Sequence, residues 1–136
     1  RKRLVKATAA VGDTKRQAKE VLEAHVAGSL TLVVANQVQR AQELFTALQR
    51  LAKDVPVRLV HSRFRPAERA TVQDEVLRAG WSGILVATQA IEAGVDLSAR
   101  TLFTELAPWS SLVQRFGRLN RRGEYSDGVA VACWWN

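Results

Sequence analysis

The fold is decided by residues 30–62, LTLVVANQVQRAQELFTALQRLAKDVPVRLVHS, where two short apolar runs flank an amphipathic segment. The runs Leu30–Ala35 and Val57–His61 are rich in β-branched residues and are typical of buried strands in a parallel sheet. Between them, apolar residues recur every three or four positions and predict a helix with one apolar stripe. The residues of this stripe are Val38, Ala41, Leu44, Phe45, Leu48 and Leu51. The order strand, helix, strand predicts a parallel sheet covered by helices.

The same alternation extends to both sides of this segment. Further strands are predicted at Arg3–Thr8, Gly83–Ala87, Thr101–Glu105 and Gly128–Trp134. We therefore predict an α/β fold, organised as one domain over residues 1–136.

Local signals predict where the other helices begin and end. Pro66 suits a first helical turn, Arg78 suits a last one, and Gly80 suits the left-handed residue that follows, which predicts a helix over Pro66–Ala79. Two capping boxes predict further helix starts: Thr14 with Gln17, and Ser111 with Gln114.

The chain is strongly basic, with a formal net charge of +7 and a pI near 10.5. This charge favours a polyanionic partner, since lysines and arginines that meet phosphates release counterions. The alternative is an ordinary solvated basic surface. No apolar run approaches the length of a membrane span, and the first residues do not form a signal peptide, so we expect a soluble protein without a membrane partner.

A single cysteine, Cys133, cannot form an internal disulfide and indicates a reducing, cytoplasmic setting. With only His25 and His61 beside it, we expect no metal bound by this segment. The chain has no methionine and stops within an apolar run at residues 134–136, so we expect it to be part of a larger protein. For Trp134 and Trp135 a core strand is the default expectation, and base stacking is the alternative.

Crossover connections place the loops after parallel strands along one edge of the sheet, where ligands usually bind. Function is therefore predicted after Ala35, His61, Ala87 and Glu105.

Residues 114–121, QRFGRLNR, begin a run with four arginines in eight positions, 115–122. On a helix, Arg118 and Arg121 lie three apart and project from one face, with Gln114 on the same side. We expect the two guanidinium groups to point out of the domain at the carboxyl edge of the sheet and to grip a phosphate. The alternative is a solvated basic helix end.

Residues 87–96, ATQAIEAGVD, follow a predicted buried strand. Gly94 would let the backbone approach a ligand, and Asp96 can accept hydrogen bonds from ribose hydroxyls. The alternative is an ordinary turn.

These two segments resemble the last two signatures of superfamily-two helicases. Within that superfamily the chain is most similar to the CRISPR-associated helicase-nuclease of type I systems. The segments that support this similarity are LVVAN (32–36), LVHSRF (59–64) with Glu68-Arg69, and LAPWSSL (106–112). The resemblance spans about residues 30–123 and implies the second RecA-like lobe of a helicase, a parallel sheet sandwiched by helices.

The resemblance implies a catalytic role for three residues and a nucleotide-binding role for two. Arg118 and Arg121 match arginines that reach the γ-phosphate of ATP held by the first lobe, and Gln114 matches a polar residue near the attacking water. Gly94 and Asp96 match a loop that touches the nucleotide ribose.

The resemblance also implies a single-strand groove at Asn36, Arg63, Thr88 and Gln89. The alternatives are a helix cap for Asn36, a strand-end hydroxyl bond for Thr88 and a surface salt bridge for Arg63. His61 is expected to be a packing residue.

Neither a Gly-x-x-x-x-Gly-Lys-Ser/Thr loop nor an acidic Asp-Glu-x-x box after a strand occurs in the sequence. ATP and Mg²⁺ are therefore expected in the full-length protein, with the magnesium ligands outside this segment, and the segment alone is expected to be inactive. The implied function is an ATP-dependent single-stranded DNA translocase in CRISPR interference, working with a surveillance complex and with a nuclease located elsewhere. The alternatives are an RNA or DNA-repair helicase, or a non-hydrolysing nucleic-acid-binding or docking module.

Overall fold

The computed structural model describes residues 2–78, 80–89, 96–126 and 128–136. Its strands are β1 (Arg3–Lys6), β2 (Leu30–Val34), β3 (Val57–Val60), β4 (Gly83–Ala87), β5 (Thr101–Glu105) and β6 (Val131–Trp135). The helices among the described residues are α1 (Thr14–Ala24), α2 (Val38–Leu51), α3 (Pro66–Val76) and α4 (Trp109–Phe116). The strands form one sheet in the order β1-β6-β5-β2-β4-β3, and every neighbouring pair is parallel. The predicted α/β class and all six predicted strands are confirmed.

Both faces of the sheet are covered at the central strands β2, β4 and β5, in which every residue is buried. Leu32 and Val34 of β2 belong to one core cluster, together with Val76 of α3. Val33 of β2 belongs to the opposite cluster, which also contains the apolar residues of α1 and α2. Since successive side chains of a strand point to opposite faces, β2 is covered on both sides, and its one polar residue, Thr31, is buried with the apolar ones.

Both helices predicted from capping boxes exist, but Thr14 and Ser111 do not cap them, and the reason is the conformation of the preceding residues. Helix α1 is capped by Asp13, whose carbonyl accepts from the Gln17 N–H, so Thr14 is already helical. Helix α4 begins at Trp109, two residues before the predicted cap Ser111, because extended Pro108 (ψ 148°) starts it. Neither cap residue makes a side-chain capping bond.

Helix α3 begins at Pro66, as predicted, but its last helical residue is Val76. Leu77 is its C-cap and Arg78 lies beyond the helix, whereas Ala79 is outside the described residues. Gly80 has a φ of +82° and is the predicted left-handed residue.

The two terminal tryptophans lie in β6, which confirms the expected core strand. Trp135 is fully buried and stacks on Phe103 of β5 with 5.0 Å between ring centroids. Trp134 is partly buried, and Lys6 Nζ of β1 lies 5.5 Å from its ring centroid. The Trp135 ring is therefore not available as an open stacking surface.

Cys133, the single cysteine, is partly buried in β6. Burial, and secondarily the charge of Glu20, raises the pKa of this thiol to about 11, so it stays protonated and unreactive near neutral pH. In the described part of the chain, no three His, Cys, Asp or Glu side chains group closely enough to hold a metal ion. Among the same residues, no helix is both long and apolar enough to cross a bilayer.

Glu20 of α1 joins the helix to the two strands at that edge of the sheet. One carboxylate oxygen accepts from the Trp135 Nε1–H (3.0 Å) and the Ala9 N–H (3.1 Å), and the other accepts from the N–H (2.6 Å) and hydroxyl (3.0 Å) of Thr8. Burial by itself would raise the pKa of Glu20, but these hydrogen bonds outweigh it and lower the pKa below its ordinary value of 4.5.

We expect Glu20→Gln to lower the free energy of unfolding at neutral pH by about 1–3 kcal/mol, because an amide accepts these bonds less well than a carboxylate. Since the folded-state pKa is lowered, the stabilisation is complete above pH 4.5 and is lost as the pH falls through the folded-state pKa. Urea unfolding at a series of pH values measures this effect. The matched control is Glu23→Gln at an exposed position of the same helix. A Glu20→Gln deficit that persists unchanged in acid would contradict the prediction.

Candidate nucleotide and nucleic-acid interface

The four residues predicted to bind a single strand follow three adjacent strands at the carboxyl edge of the sheet. Asn36 follows β2, Thr88 and Gln89 follow β4, and Arg63 follows β3. Val34 pairs with Ala87, and Ala87 pairs with Val60, so the three strands end side by side. We call these four residues the strand row. The structure therefore brings them to one edge, as the sequence predicted.

Asn36 connects β2 to the end of β5 rather than capping α2. Its N–H donates to Glu105 Oε1 (2.8 Å) and its Nδ2 donates to the Leu106 carbonyl (2.7 Å). The cap of α2 is Gln37, so the helix-cap alternative for Asn36 is wrong. The Asn36 Oδ1 atom is buried and has no hydrogen-bond partner among the described residues.

Thr88 is fully buried, and its Oγ1 also has no hydrogen-bond partner among the described residues. The strand-end hydroxyl bond that was its alternative role is therefore absent from this part of the structure. An unpaired buried hydroxyl costs free energy, and a ligand oxygen at this edge would satisfy it.

Arg63 and Gln89 are both exposed. No ion pair involves Arg63 among the described residues, so its salt-bridge alternative is not seen there, and its N–H donates to His61 Nδ1 (3.1 Å). His61 is buried and packs edge-on against Phe64, with 4.2 Å between ring centroids. Burial, followed by the charge of Arg63, lowers the pKa of His61, in keeping with the expected packing role.

The sequence analysis missed a buried ion pair that contacts the strand row through Asn36. Glu105, at the end of β5, is 2% exposed and receives two bonds from Arg40 of α2, Nε to Oε2 (2.7 Å) and Nη2 to Oε1 (2.8 Å). The hydrogen bond to Glu105, followed by its charge, raises the pKa of Arg40. The only sequence signal is an acidic residue at the end of a predicted strand.

Arg115 is a second residue whose role the sequence did not reveal. It is 1% exposed, and its Nη1 donates to Thr104 Oγ1 (3.0 Å) and to the Glu105 carbonyl (3.4 Å). This arginine of the basic run therefore fastens α4 to β5 and is unavailable to a ligand.

Arg118 and Arg121 do not lie on a helix, which corrects the prediction. Helix α4 ends at Phe116 with Gly117 as its cap. After the helix, the chain pairs with Ala99, which lies two positions before β5. The Ala99 N–H donates to the Arg118 carbonyl (2.8 Å). Asn120, with a φ of +49°, turns the chain out of the helix. Arg118 is buried whereas Gln114 is exposed, so these two side chains do not share a face.

The two arginines also lie at the opposite end of the sheet from the strand row. Since Ala99 precedes β5, its partner Arg118 lies near the amino-terminal end of that strand, as does Asp96. The expectation that they point out at the carboxyl edge is therefore wrong. The reason is that α4 starts at the carboxyl edge and runs back along the sheet before the arginines occur.

Asp96 is the centre of an arginine cluster that we define as Asp96, Arg118, Arg121 and Arg122. Its Oδ1 lies 3.0 Å from Arg121 Nε and its Oδ2 lies 3.6 Å from Arg122 Nη2. The side chain of Asp96 is 69% exposed and that of Arg121 is 44% exposed, so this ion pair contributes little stability and can exchange for another anion. Gly94, the other predicted ribose contact, lies outside the described residues.

Electrostatics in the cluster favour an added anion. Burial, and then the charge of Arg121, lowers the pKa of Arg118, while Asp96 opposes the shift. A cavity of about 180 Å³ opens beside Asp96 and Arg122, and Trp81 and Tyr125 also line it. An anion held beside Arg118 and Arg121 would relieve their mutual repulsion.

Comparisons with known proteins identify the fold. The C-terminal domain of the DEAD-box protein Dbp5 superposes with a TM-score of 0.75 at 18% identity, covering 99% of this chain and 76% of that one. T. fusca Cas3-ATP superposes with a TM-score of 0.77 at 24% identity, covering 98% of this chain and 18% of that one. The fold is thus that of a RecA-like helicase C-terminal domain.

The particular family follows from sequence. Residues 27–124 match the family described as CRISPR-associated nuclease/helicase Cas3, C-terminal. A putative CRISPR-associated nuclease/helicase Cas3 of Methanocaldococcus jannaschii is 34% identical over 112 residues, which cover 77% of this chain and 15% of that protein. The chain belongs to the Cas3 C-terminal family and spans under a fifth of the length of this relative.

Proposed function

We propose that this chain is the second RecA-like lobe of an ATP-dependent single-stranded DNA translocase acting in CRISPR interference. The observation that carries the proposal is the arginine cluster, in a chain that belongs to the Cas3 family. The relative from Methanocaldococcus jannaschii is named a nuclease/helicase, and the T. fusca Cas3 structure is named for ATP, which supports nucleotide binding by the full-length protein.

Within this proposal, the cluster faces a nucleotide held by the first lobe of the same protein. Asp96 accepts hydrogen bonds from the ribose, while Arg118 and Arg121 receive the γ-phosphate as charge spreads over its oxygens. Arg121 is the more exposed of the two, so it is the arginine that contacts the nucleotide more directly. Gln114 and Gly94 retain the proposed roles near the attacking water and the ribose.

The described residues do not fit a Mg²⁺ site, because no three acidic or histidine side chains converge there. Magnesium in this proposal is bound by the first lobe together with the phosphates. The nuclease and the contact with a surveillance complex are likewise assigned to other parts of the protein.

The strand row binds the sugar-phosphate backbone of single-stranded DNA in this proposal. The exposed guanidinium of Arg63 would meet phosphate oxygens, and the Thr88 hydroxyl would donate to a backbone oxygen. The net charge of +7 supports a polyanionic partner. Because the row and the cluster lie at opposite ends of β5 and its neighbours, one lobe can contact a strand and a nucleotide simultaneously.

The test is ATP hydrolysis by the full-length protein with single-stranded DNA or RNA of equal length and sequence. We expect DNA to stimulate hydrolysis more than RNA, and stimulation to fall steeply with added salt, since phosphate contacts release counterions. Stimulation by RNA alone would identify an RNA helicase. No hydrolysis under any condition would identify a non-hydrolysing binding or docking module.

A further inference from the structure

The junction of β5 and α4 presents an exposed apolar patch, which we name the Trp109 patch and define as Leu106, Trp109 and Val113. Trp109 is 71% exposed, and Leu106 and Val113 are about half exposed. Trp109 and Val113 are four residues apart on α4 and therefore lie on one side of the helix. Tryptophan is usually well buried, so such exposure indicates a binding surface.

The patch continues the strand row at its β5 end. The Leu106 carbonyl accepts from Asn36 Nδ2 at 2.7 Å, so the patch begins where the row ends. The strands run β5, β2, β4, β3 across this edge. With about 4.8 Å between neighbouring strands, the distance from β5 to β3 is about 14 Å, which leaves room for a short run of nucleotides.

We propose that Trp109 is a stacking platform for one base of the single strand that the strand row holds. This inference rests on the proposed function of the row. Every base has an apolar π-face, and an indole ring offers a flat surface of matching size, so stacking does not depend on sequence. Leu106 and Val113, the other two members of the patch, would help to exclude water from the stacked pair.

Two unpaired polar atoms support a nucleic acid as the occupant. Asn36 Oδ1 and Thr88 Oγ1 are buried without partners among the described residues, next along the edge from the patch. A phosphate oxygen could accept from the Thr88 hydroxyl, and a base N–H could donate to Asn36 Oδ1, while a neighbouring base reaches Trp109. A patch of three side chains is also small for a stable protein interface, and the chain's positive charge complements a polyanion.

The experiment combines Trp109→Ala in the full-length protein with single-stranded DNA that lacks one base. Fluorescent oligothymidylate is made with a single abasic position that moves along the strand, and Kd is measured for each. We expect Trp109→Ala to weaken binding of the complete strand by about five- to 150-fold. One abasic position should reproduce this loss in the unmodified protein, and combining the two changes should add nothing further.

Two further variants separate stacking from a structural role. Trp109→Phe keeps an aromatic face and should retain most of the affinity and the same sensitive position. Val113→Ala truncates the same patch and should leave the coupling to that abasic position intact. If the losses from Trp109→Ala and from the abasic site add wherever the abasic site is placed, or if Trp109→Ala binds the strand normally, Trp109 contacts no base. If the unmodified protein fails to bind the complete strand, the proposed function fails together with this inference.

Discussion

Replacing Arg121 by alanine in the full-length protein is expected to lower kcat for DNA-stimulated ATP hydrolysis by about three to five orders of magnitude. The reason is that its guanidinium would stabilise negative charge that develops on the γ-phosphate only in the transition state. Arg121 is exposed and pairs only with the exposed Asp96 among the described residues, so its removal should not unfold the domain. Steady-state hydrolysis with saturating DNA measures the effect, and thermal unfolding of the same sample tests the fold.

The neighbouring Arg122 provides the matched control. It is also exposed, and its Nη2 donates to the Asp96 carbonyl (3.0 Å) and lies 3.6 Å from Asp96 Oδ2, but it does not occupy the position that matches a finger. Arg122→Ala should therefore leave kcat within about tenfold of the unmodified protein, an effect expected of general charge loss.

Arg118 is less exposed than Arg121, at 6%, so Arg118→Ala removes buried contacts as well as charge. Arg118→Lys keeps the charge but not the planar fork, and we expect it to lose most of the activity while the protein stays folded. Hydrolysis by Arg121→Ala or Arg118→Lys at near the normal rate would refute the proposed phosphate contacts.

Arg40→Ala is expected to lower the free energy of unfolding of the domain by about 3–5 kcal/mol. Glu105 is 2% exposed, and Arg40→Ala would leave its carboxylate buried with only the Asn36 N–H as a described partner. The cost is therefore mainly that of an uncompensated buried charge. Urea unfolding of the chain measures it as a lower midpoint at unchanged slope.

The pair Arg58 and Glu75 is a control that differs in burial but not in geometry. Arg58 Nε lies 2.7 Å from Glu75 Oε1 and Nη2 lies 2.9 Å from Oε2, which matches the two bonds between Arg40 and Glu105. Both side chains of this pair are about one-third exposed, so Arg58→Ala should cost about 1 kcal/mol or less. Equal losses for Arg40→Ala and Arg58→Ala would show that burial of Glu105 does not set the cost.

The strands were predictable because their signal is local. The run Gly83–Ala87 is apolar at every position, as a doubly covered parallel strand requires, and the structure reproduces both this range and that of Thr101–Glu105. The stripe of α2 was predictable for a similar reason, since its apolar positions repeat with the period of the helix.

Helix starts were less predictable, because a capping pattern identifies side chains that can cap a helix but does not fix the residue at which the helical backbone begins. Asp13 starts α1 after the left-handed Gly12, and extended Pro108 starts α4, so the Thr14 and Ser111 patterns fall inside helices. The backbone of the preceding residues determined both starts.

The sequence by itself determined the α/β class and the six strands, because these depend on periodicity, and its short motifs carried the family resemblance from which the residues of the strand row were proposed. Only the tertiary structure decided that the arginine cluster lies at the amino-terminal end of β5, that Arg115 and Arg40 are structural, and that Trp109 is exposed three residues after Leu106, whose carbonyl Asn36 contacts. These depend on contacts between residues far apart in sequence, such as Ala99 with Leu119 and Arg40 with Glu105. A local pattern cannot show such contacts, since they exist only when the sheet and its helices are packed together.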